Sequence, residues 1–475
     1  MKKIFAILSI FIVFASCTKL EDLNKNTKDP SQVSGESLFT GAQKALADQM
    51  VNSNVNTNIF RLIMQNWCET TYTDESNYDL DTRTIPDNHW DILYRDVLKD
   101  FDEAGKVIEA TTYLPSEDPA VKTNKLAIVE IMKVYTYAVL VETFGDIPYS
   151  EALNLATPLP KYDDGLTVYK DLISRLTTAI GNLNQSQGSF DNADNFYQGD
   201  VAMWYKFANS LKLKMGLVLS DVDAATAKST AESAAPHVIS SNDENCTMSY
   251  LSAAPNYNQI YADLVASGRN DFVPTSTIID YMNSLNDPRR KLYFTPIDGV
   301  YIGGENGAGN DFYAYSHVAD KIQEATFEGM IFDWAQTEFL LAEACERGFN
   351  VGGTAESHYN QGIRASINYW GGTSTSADTL LMNPAVAYTS APGTWKEKIG
   401  MQAWLALYNN AFEAWTTYRR LDYPALVAPP DAVSALPIRF TYPINEQTLN
   451  GANYDAAAAA IGGDAVDTKL FFDKY

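Results

Sequence analysis

The sequence is poor in the residues that most often bind metals or form disulfides. Its 475 residues include four histidines and four cysteines. No HExxH motif and no His/Cys spacing typical of zinc occurs. One disulfide among Cys68, Cys246 and Cys345 is possible, although the alanines around Cys345 favour a buried free thiol. We therefore expect no metal and no cofactor, and a fold that disulfides do not define.

Basic residues are scarce relative to acidic ones. The chain has 35 lysines and arginines against 59 aspartates and glutamates, which gives a formal net charge of −24. Such a balance repels nucleic acid and anionic membrane surfaces. The composition therefore excludes a nucleic-acid partner.

Signatures of catalysis are also missing. The chain has neither GxSxG nor a P-loop, and the glycines of residues 303–309 lack the strand-to-helix context of a phosphate loop. Among 59 acidic residues, the carboxylate pair of a glycosidase could arise by chance. We predict that the protein is not an enzyme, with a glycoside hydrolase as the less favoured alternative. A calcium site in DNADN, residues 191–195, is a second alternative to a solvated loop, although its spacing misses the EF-hand pattern.

Long apolar runs are absent except at the start of the chain. Lys2 and Lys3 precede an apolar stretch, residues 4–14, that is too short to span a bilayer. The sequence FASC that ends it resembles the lipobox of bacterial lipoproteins, in which the signal is cut before the cysteine and the thiol carries lipid. We predict a signal peptide over residues 1–16, lipid on Cys17, a flexible polar tether over residues 17–31, and a single domain over residues 32–475.

The clearest element within the domain is a central helix over residues 124–144. Apolar side chains cover nearly its whole circumference, which indicates burial on most sides. Gly145 and Pro148 then end it, because glycine can take the left-handed turn and proline prevents the helix from resuming. Asp146, between them, is interpreted as part of this turn and not as a catalytic residue.

Helix signals come in pairs, separated by long segments rich in Tyr, Asn, Asp and Gly. The pattern predicts a mostly α-helical fold of about four TPR-like hairpins in a superhelical scaffold, with few short strands. The predicted pairs are residues 38–67 with 90–108, 124–144 with 165–183, 200–219 with 224–239, and 331–348 with 354–369. A last long helix is predicted over residues 395–418.

Several motifs along the mature chain resemble the SusD/RagB-like family of outer-membrane lipoproteins. The motifs include TYTDESNYDL from Thr71, FGDIPYSEAL from Phe144, ANSLKLKM from Ala208, TEFLLAEACERG from Thr337 and AWTTYRRLDYP from Ala414. The tail departs from the family, since Phe471 and Phe472 stand where many relatives have a tryptophan pair.

This resemblance implies a surface protein that captures nutrients. Such proteins are anchored by lipid to the outer membrane, face outward, and act as a lid on a SusC-like TonB-dependent porin. They capture oligosaccharides, or in some members peptides, and pass them to that transporter. Both ligand classes remain open for this chain.

Ligand binding is expected on the long loops, because paired helices bury their aromatic stripes against each other. Sugars need exposed aromatic faces together with Asn, Asp and Arg side chains. Trp90, four residues before Tyr94 at a helix start, fits a core position equally well. The arginine pairs at 289–290 and 419–420 are interpreted as ion-pair partners and not as ligand contacts. The candidate ligand-binding residues are Tyr72, Asp74, Asn77, Tyr78, Arg83, Trp90, Tyr257, Tyr261, Tyr301 and Tyr313.

Overall fold

The computed structural model describes residues 33–112 and 118–474, most of which are helical or lie between helices. The predicted signal peptide, lipidated Cys17 and tether lie outside the described residues. Within those residues, no helix combines the length and the apolar character that crossing a bilayer requires.

The predicted mostly α-helical fold is confirmed. We number the helices of eight or more residues in chain order, and α2 consists of three consecutive segments, the middle one π-helical. The helices are α1 Gly35–Val51, α2 Ile85–Asp91 with Ile92–Leu98 and Lys99–Ala110, α3 Pro119–Phe144, α4 Gly165–Asn182, α5 Val201–Val218, α6 Ala224–Ala234, α7 Ser276–Leu285, α8 Trp334–Glu346, α9 Ala355–Tyr369, α10 Ser374–Leu381, α11 Trp395–Ala406, α12 Ala411–Leu421 and α13 Gly451–Ala460.

Four helix hairpins form the scaffold. Helix α1 packs on α2, α3 on α4, α5 on α6, and α8 on α9. Successive hairpins also touch, since α2 contacts α3, α4 contacts α5, and α5 contacts α8. In the last hairpin Gly362 permits the close approach, because a Cβ there would lie 2.9 Å from the Phe339 ring. The predicted TPR-like pairing is therefore present.

The central helix α3 ends at Gly145 as predicted, but it begins at Pro119, five residues before the predicted start at residue 124. The Asp118 side chain accepts a hydrogen bond from Ala120 N (2.8 Å), and Pro119 occupies the first turn. Gly145 ends the helix with φ +90°. Asp146 then accepts a hydrogen bond from Gly165 N (2.8 Å) at the start of α4. Asp146 therefore joins two helices, as the structural interpretation of the turn predicted, and burial raises its pKa to about 6.

The helix predicted over residues 38–67 ends at Val51, and of the remaining predicted range only the short helix Phe60–Ile63 is α-helical. Asparagines every second residue, Asn52, Asn54, Asn56 and Asn58, turn the chain there. The Asn52 side chain accepts a hydrogen bond from Asn54 N (2.9 Å), and that of Asn54 accepts one from Asn56 N (3.0 Å). Such local bonds compete with helical ones, so the helix stops.

The single helix predicted over residues 395–418 is also wrong. It is broken into α11 and α12 at Asn409 and Asn410. The Asn410 amide donates to the carbonyl of Ile331 (3.0 Å). A tertiary hydrogen bond thus overrides the helical periodicity of the flanking residues.

Short antiparallel strand pairs fasten the long loops to one another. They are β1 Trp67–Glu69 with β5 Phe272–Pro274, β2 Ile147–Pro148 with β3 Tyr162–Asp163, β4 Cys246–Met248 with β8 Gly329–Phe332, and β6 Phe294–Thr295 with β7 His317–Val318.

The region considered for calcium is a hydrogen-bonded turn. Asp194 is buried, and its carboxylate accepts hydrogen bonds from Gln43 Nε2 (2.9 Å), Trp204 Nε1 (2.6 Å), Phe196 N (3.0 Å) and Gly199 N (3.0 Å). Its acceptor sites are therefore occupied by protein donors. This arrangement is structural, and the carboxylate is not open to an ion.

The three cysteines of the described residues are free. Cys68 and Cys246 are buried, whereas Cys345 is half-buried and not fully buried as expected. No disulfide therefore links these positions.

Charged side chains are buried where the hairpins meet. Lys214 on α5, whose side chain is 2% exposed, lies 2.9 Å from Glu142 on α3 and 2.6 Å from Glu413 on α12. Tyr169 on α4 donates to Glu142 (2.6 Å), and Gln336 on α8 donates to Glu413 (2.7 Å). One ammonium thus links five helices through two carboxylates.

Of the four arginines interpreted as ion-pair partners, Arg289, Arg419 and Arg420 are buried. Arg290 is half-buried, and its guanidinium donates to Asn283 Oδ1 (2.6 Å). Arg289 pairs with Asp287 (2.6 Å) and Arg420 with Glu343 (2.8 Å). Burial favours the neutral form of Glu343, but Arg420 and Arg347 hold its pKa below the ordinary value. Arg419 donates to the carbonyl of Ile438 (3.1 Å). These guanidiniums are therefore not available to a ligand.

We expect Lys214→Met to lower the free energy of unfolding by about 3–5 kcal/mol, because it leaves two buried carboxylates without their cation. Urea denaturation measures this loss. The control is Lys228→Met, which removes a lysine that is 47% exposed and paired with Glu232; its cost should stay below about 1 kcal/mol. Equal losses for the two variants would contradict a central role for the buried ammonium.

Candidate functional site

A cleft of about 260 Å³ opens beside strands β1 and β5. We call it the tyrosine cleft. The turn after α1, the loop after β1 and the segment leading into β5 form its walls. The residues that line it are Ser53, Asn54, Val55, Asn56, Glu69, Thr71, Tyr72, Glu75, Arg83, Asp263, Ser267, Arg269, Asp271 and Phe272.

The β1–β5 pair brings these walls together. Glu69 is the partner of Phe272 in the antiparallel register. The pairing continues outward, since Thr70 N donates to the carbonyl of Asp271 (2.9 Å) and Thr70 Oγ1 to that of Asn270 (2.6 Å). Two loops that are 200 residues apart are therefore held at one edge.

Tyr72 stands at the rim of the cleft. Its side chain is 68% exposed, and its backbone has φ +57°. A left-handed backbone at a bulky residue costs free energy. The exposure of Tyr72 shows that its ring presents apolar surface to the solvent.

Two buried glutamates form the floor. Ser76 N donates to Glu69 Oε2 (2.8 Å), and Glu69 N donates to Ser76 Oγ (3.2 Å), which fixes the base of the loop. Burial raises the pKa of Glu69 to about 7. Glu75 is fully buried and forms an ion pair with the partly exposed Arg83. The positive charge of Arg83 at the cleft is therefore already balanced by the buried Glu75.

The opposite wall is also polar. Arg269 pairs with Asp271 (2.7 Å), and Asp263 accepts hydrogen bonds from Ser53 N (3.0 Å) and Ser53 Oγ (3.1 Å). An exposed ring beside in-plane donors and acceptors can hold a pyranose, whose faces are apolar and whose edges carry hydroxyls.

A smaller cleft adjoins the tyrosine cleft across Arg269 and Asp271. Phe312 and His317 line it, with their rings stacked at 4.0 Å. Tyr313, whose side chain is 72% exposed, contacts the edge of Phe312 at a centroid distance of 5.5 Å. A second group of aromatic rings therefore lies beside the first cleft.

The structure brings two of the ten predicted ligand residues together. Tyr72 and Arg83 line the tyrosine cleft. Asp74 is exposed but does not line it, and Tyr313 lies on the neighbouring loop. Tyr257 and Tyr261 are half-buried and contact each other edge to face at 5.2 Å, and Tyr301 is half-buried beneath the guanidinium of Arg290 (4.6 Å).

The expectation that Asn77 and Tyr78 face the solvent is wrong. The Tyr78 side chain is 1% exposed, and its hydroxyl accepts a hydrogen bond from Gln65 Nε2 (3.1 Å). A segment near the C-terminus covers the loop, since Val433 N donates to the carbonyl of Asn77 (2.9 Å) and Ser434 Oγ to that of Tyr78 (3.0 Å). Contact with a segment so distant in sequence leaves no local signal.

Trp90 is also a core residue. Its ring packs 4.9 Å from Phe144 and 4.8 Å from Tyr94, on the inner face of α2. The core alternative, which the four-residue spacing to Tyr94 had left open, is therefore correct, and Trp90 offers no face to a ligand.

Sequence reasoning missed the wall formed by Ser53–Asn56 and the carboxylates Glu69, Glu75 and Asp263. The turn was hidden because the predicted helix ran through it. The alternating asparagines were the available signal, since asparagine at this density favours turns over helix. Nothing comparable marked the carboxylates among the other acidic residues.

Among residues 33–112 and 118–474, no group of three His, Cys, Asp or Glu side chains is arranged to hold a metal ion.

Comparison with protein families decides the relationship. A SusD-like family model, described as starch-binding and associating with the outer membrane, matches residues 27–443. The chain belongs to the SusD-like family. The resemblance inferred from the motifs is thereby confirmed, and the association with the outer membrane is a property of the family. No protein with a curated description matches the chain.

Solved structures agree with this assignment. A chitin-binding protein is 27% identical, with a TM-score of 0.79 over 93% of this chain and 100% of its own. A SusD homologue from Bacteroides uniformis is also 27% identical, with a TM-score of 0.78 over 92% of this chain and 99% of its own. A chitin-binding SusD homologue from Flavobacterium johnsoniae, 22% identical, shares the fold, with a TM-score of 0.76 over 92% and 98% of the two chains.

Members of the SusD-like family are carbohydrate-binding proteins and not enzymes. The prediction that this chain is not an enzyme follows from that membership. The glycoside hydrolase considered from its carboxylates is therefore not supported.

The buried Glu69 predicts a pH dependence of stability. Its pKa is about 7 in the folded protein against an ordinary 4.5, so the stability it contributes is present below pH 4.5 and is lost as the pH rises to about 7. Glu69→Gln keeps the acceptor for Ser76 N but cannot ionise. Between pH 4.5 and 7 the variant should gain about 3 kcal/mol relative to the natural protein.

Denaturation with urea across this pH range measures the difference. Glu356→Gln, at an exposed carboxylate on α9, is the matched control. A Glu69→Gln difference that stays constant with pH would show that Glu69 is not a buried titrating group.

Proposed function

We propose that this SusD-like protein captures oligosaccharides at the cell surface and delivers them to a SusC-like TonB-dependent transporter of the outer membrane. The family description names starch, and one of the relatives of 27% identity is a chitin-binding protein. A neutral glycan is therefore the ligand class with the strongest support. Delivery to the transporter rests on the family resemblance.

The exposed ring of Tyr72 is the observation that most directly supports a glycan ligand. Its exposed ring stands beside Arg83 and Arg269, and both guanidiniums are held by carboxylates. A sugar can stack on the ring while its hydroxyls exchange hydrogen bonds with the paired side chains. Because the cleft is small and open, affinity should lie on the order of micromolar to millimolar.

The proposed location follows from the N-terminal motif. Lipid on Cys17 would anchor the mature chain, and the tether over residues 17–31 would separate the helical body from the membrane. The outward orientation of the helical body is proposed from the family resemblance.

Substitutions at Tyr72 test glycan binding. We expect Tyr72→Ala to weaken binding of chitohexaose or maltohexaose roughly 5- to 30-fold, because the stacking surface is lost. Tyr72→Phe keeps the ring and should bind nearly normally. Isothermal titration calorimetry measures the affinity, and the melting temperature of Tyr72→Ala should stay unchanged, because the ring is exposed.

Tyr78→Ala is the control for an effect on folding, because Tyr78 is buried. Tyr78→Ala should cost about 3–5 kcal/mol of stability, because it empties a packed core position. If Tyr72→Ala binds normally and Tyr313→Ala does not, the ligand occupies instead the smaller cleft lined by Phe312 and His317. If the natural protein binds no glycan, the proposed function fails.

The anchor is tested by Cys17→Ala. This variant should leave the membrane fraction and appear in soluble extracts, because no acyl chain can be attached. Cys345→Ala, which removes a half-buried thiol of the folded body, should stay with the membranes. Fractionation followed by immunoblotting distinguishes the two, and a Cys17→Ala protein that remains membrane-bound would refute the lipid anchor.

A further inference from the structure

A second polar cleft adjoins the tyrosine cleft on the side of α1 and α2. Its volume is also about 260 Å³, and the two clefts share Asn54 and Asp263. We call it the acceptor cleft. Its polar lining includes Asp48, Gln49, Asn52, Asp96 and Asp263.

The acceptor cleft is rich in carboxylates. Asp48, Asp96 and Asp263 line it, and among its described lining residues there is no lysine, arginine or histidine. Asp48 pairs with Lys44, and Asp96 with Arg95 (2.8 Å), which are outside the lining. Among the described residues, Asp263 accepts hydrogen bonds from the amide and the hydroxyl of Ser53, and it also interacts electrostatically with the guanidinium of Arg61.

A buried acceptor in the same cleft is left unpaired. Gln49 is 2% exposed, and its amide nitrogen donates to the carbonyl of Thr57 (2.8 Å) and hydrogen-bonds to His89 Nδ1 (2.7 Å). Among the described residues, Gln49 Oε1 has no hydrogen-bond partner. A buried acceptor without a donor is costly, so this position favours a ligand that brings an N–H or O–H group.

The neighbouring amide adds no free donor. Asn52 Nδ2 already donates to the carbonyls of Asp48 (2.8 Å) and Gln49 (3.0 Å). The lining therefore presents acceptors and negative charge to its occupant, beside the amides of Asn54 and Gln259. Its carboxylates are not grouped closely enough to hold a metal ion. A compact cation with several N–H donors matches this lining, and a primary ammonium is such a group.

The wall beside Asp96 has an unusual backbone. Ile92 and Asp96 line the cleft from the π-helical segment Ile92–Leu98 of α2. Wide turns of this kind are rare and occur often at functional sites. This feature supports a functional role for the cleft independently of its charge.

We propose that the acceptor cleft binds the protonated amino group of an amino-sugar unit in a glycan that also occupies the tyrosine cleft. This inference rests on the proposed function, because the shared Asn54 and Asp263 make one ligand continuous across both clefts. It adds a selectivity: glycans with free amines are preferred, and glycans with carboxylates are rejected by like charge.

Three hexamers of equal length test the inference by calorimetry at about pH 6 and low salt. The deacetylated glucosamine hexamer should bind at least about fivefold more tightly than chitohexaose, and a galacturonate hexamer should bind more weakly than either. Added salt should reduce the preference for the amine and leave chitohexaose binding unchanged.

Substitutions locate the preference. Asp96→Asn and Asp263→Asn should each reduce the ratio of the two affinities roughly 2- to 5-fold, because each removes one carboxylate from the cleft. Asp455→Asn makes the same change of charge at an exposed position on α13 and should leave the ratio unchanged. A ratio equally sensitive to Asp455 would show a general effect of the acidic protein and would overturn the inference.

The remaining outcomes are distinct. If chitohexaose binds and the amine gives no advantage, the inference is wrong and the proposed function stands. If no hexamer binds, the proposed function fails as well. If instead a lysine-containing peptide binds and loses affinity in Asp96→Asn, the cleft takes its ammonium from peptides and the assignment to an amino sugar is overturned.

Discussion

The arrangement of the helical body depends on one buried ammonium. Lys214 lies between Glu142 and Glu413, and those two carboxylates also accept hydrogen bonds from α4 and α8. Two carboxylates so close in a dry core repel each other, so they coexist only while the cation lies between them. Burial and this repulsion raise the pKa of Glu413. Helices from distant parts of the chain are thus tied to a common point.

That rigid body allows the site to be built from loops. The β1–β5 pair extends from the core to the surface and fixes the loop after Glu69 against the segment before Phe272. The asparagine turn after α1 then closes the wall shared by both clefts. A site made of irregular chain can be precise when each piece is bonded to a well-packed helical scaffold.

The charged groups of the acceptor cleft are paired differently from those of the core. In the core every carboxylate of the Lys214 cluster has a partner, because an unpaired buried charge would cost stability. In the acceptor cleft, Asp263 accepts hydrogen bonds from the neutral amide and hydroxyl of Ser53, and among the described residues Gln49 Oε1 has no hydrogen-bond partner. A donor brought by a ligand would remove the cost of that buried acceptor.

The sequence by itself determined the helical hairpins, the end of α3 at Gly145, and the structural roles of Asp146, Arg289 and Arg420. These depend on periodicity, on turn chemistry and, for Arg289, on a partner two positions away. The partner of Arg420 is Glu343, 77 positions away, and the sequence did not indicate it. The motifs, taken together, also indicated the family. Tertiary structure alone decided which loop residues are exposed: Tyr72 and Tyr78 lie six positions apart in one loop, yet a C-terminal segment buries only the second. It also decided the break between α11 and α12 and the meeting of Asp96 with Asp263. Each depends on contacts between residues far apart in sequence. Local patterns carry no information about which distant segment will contact a given residue.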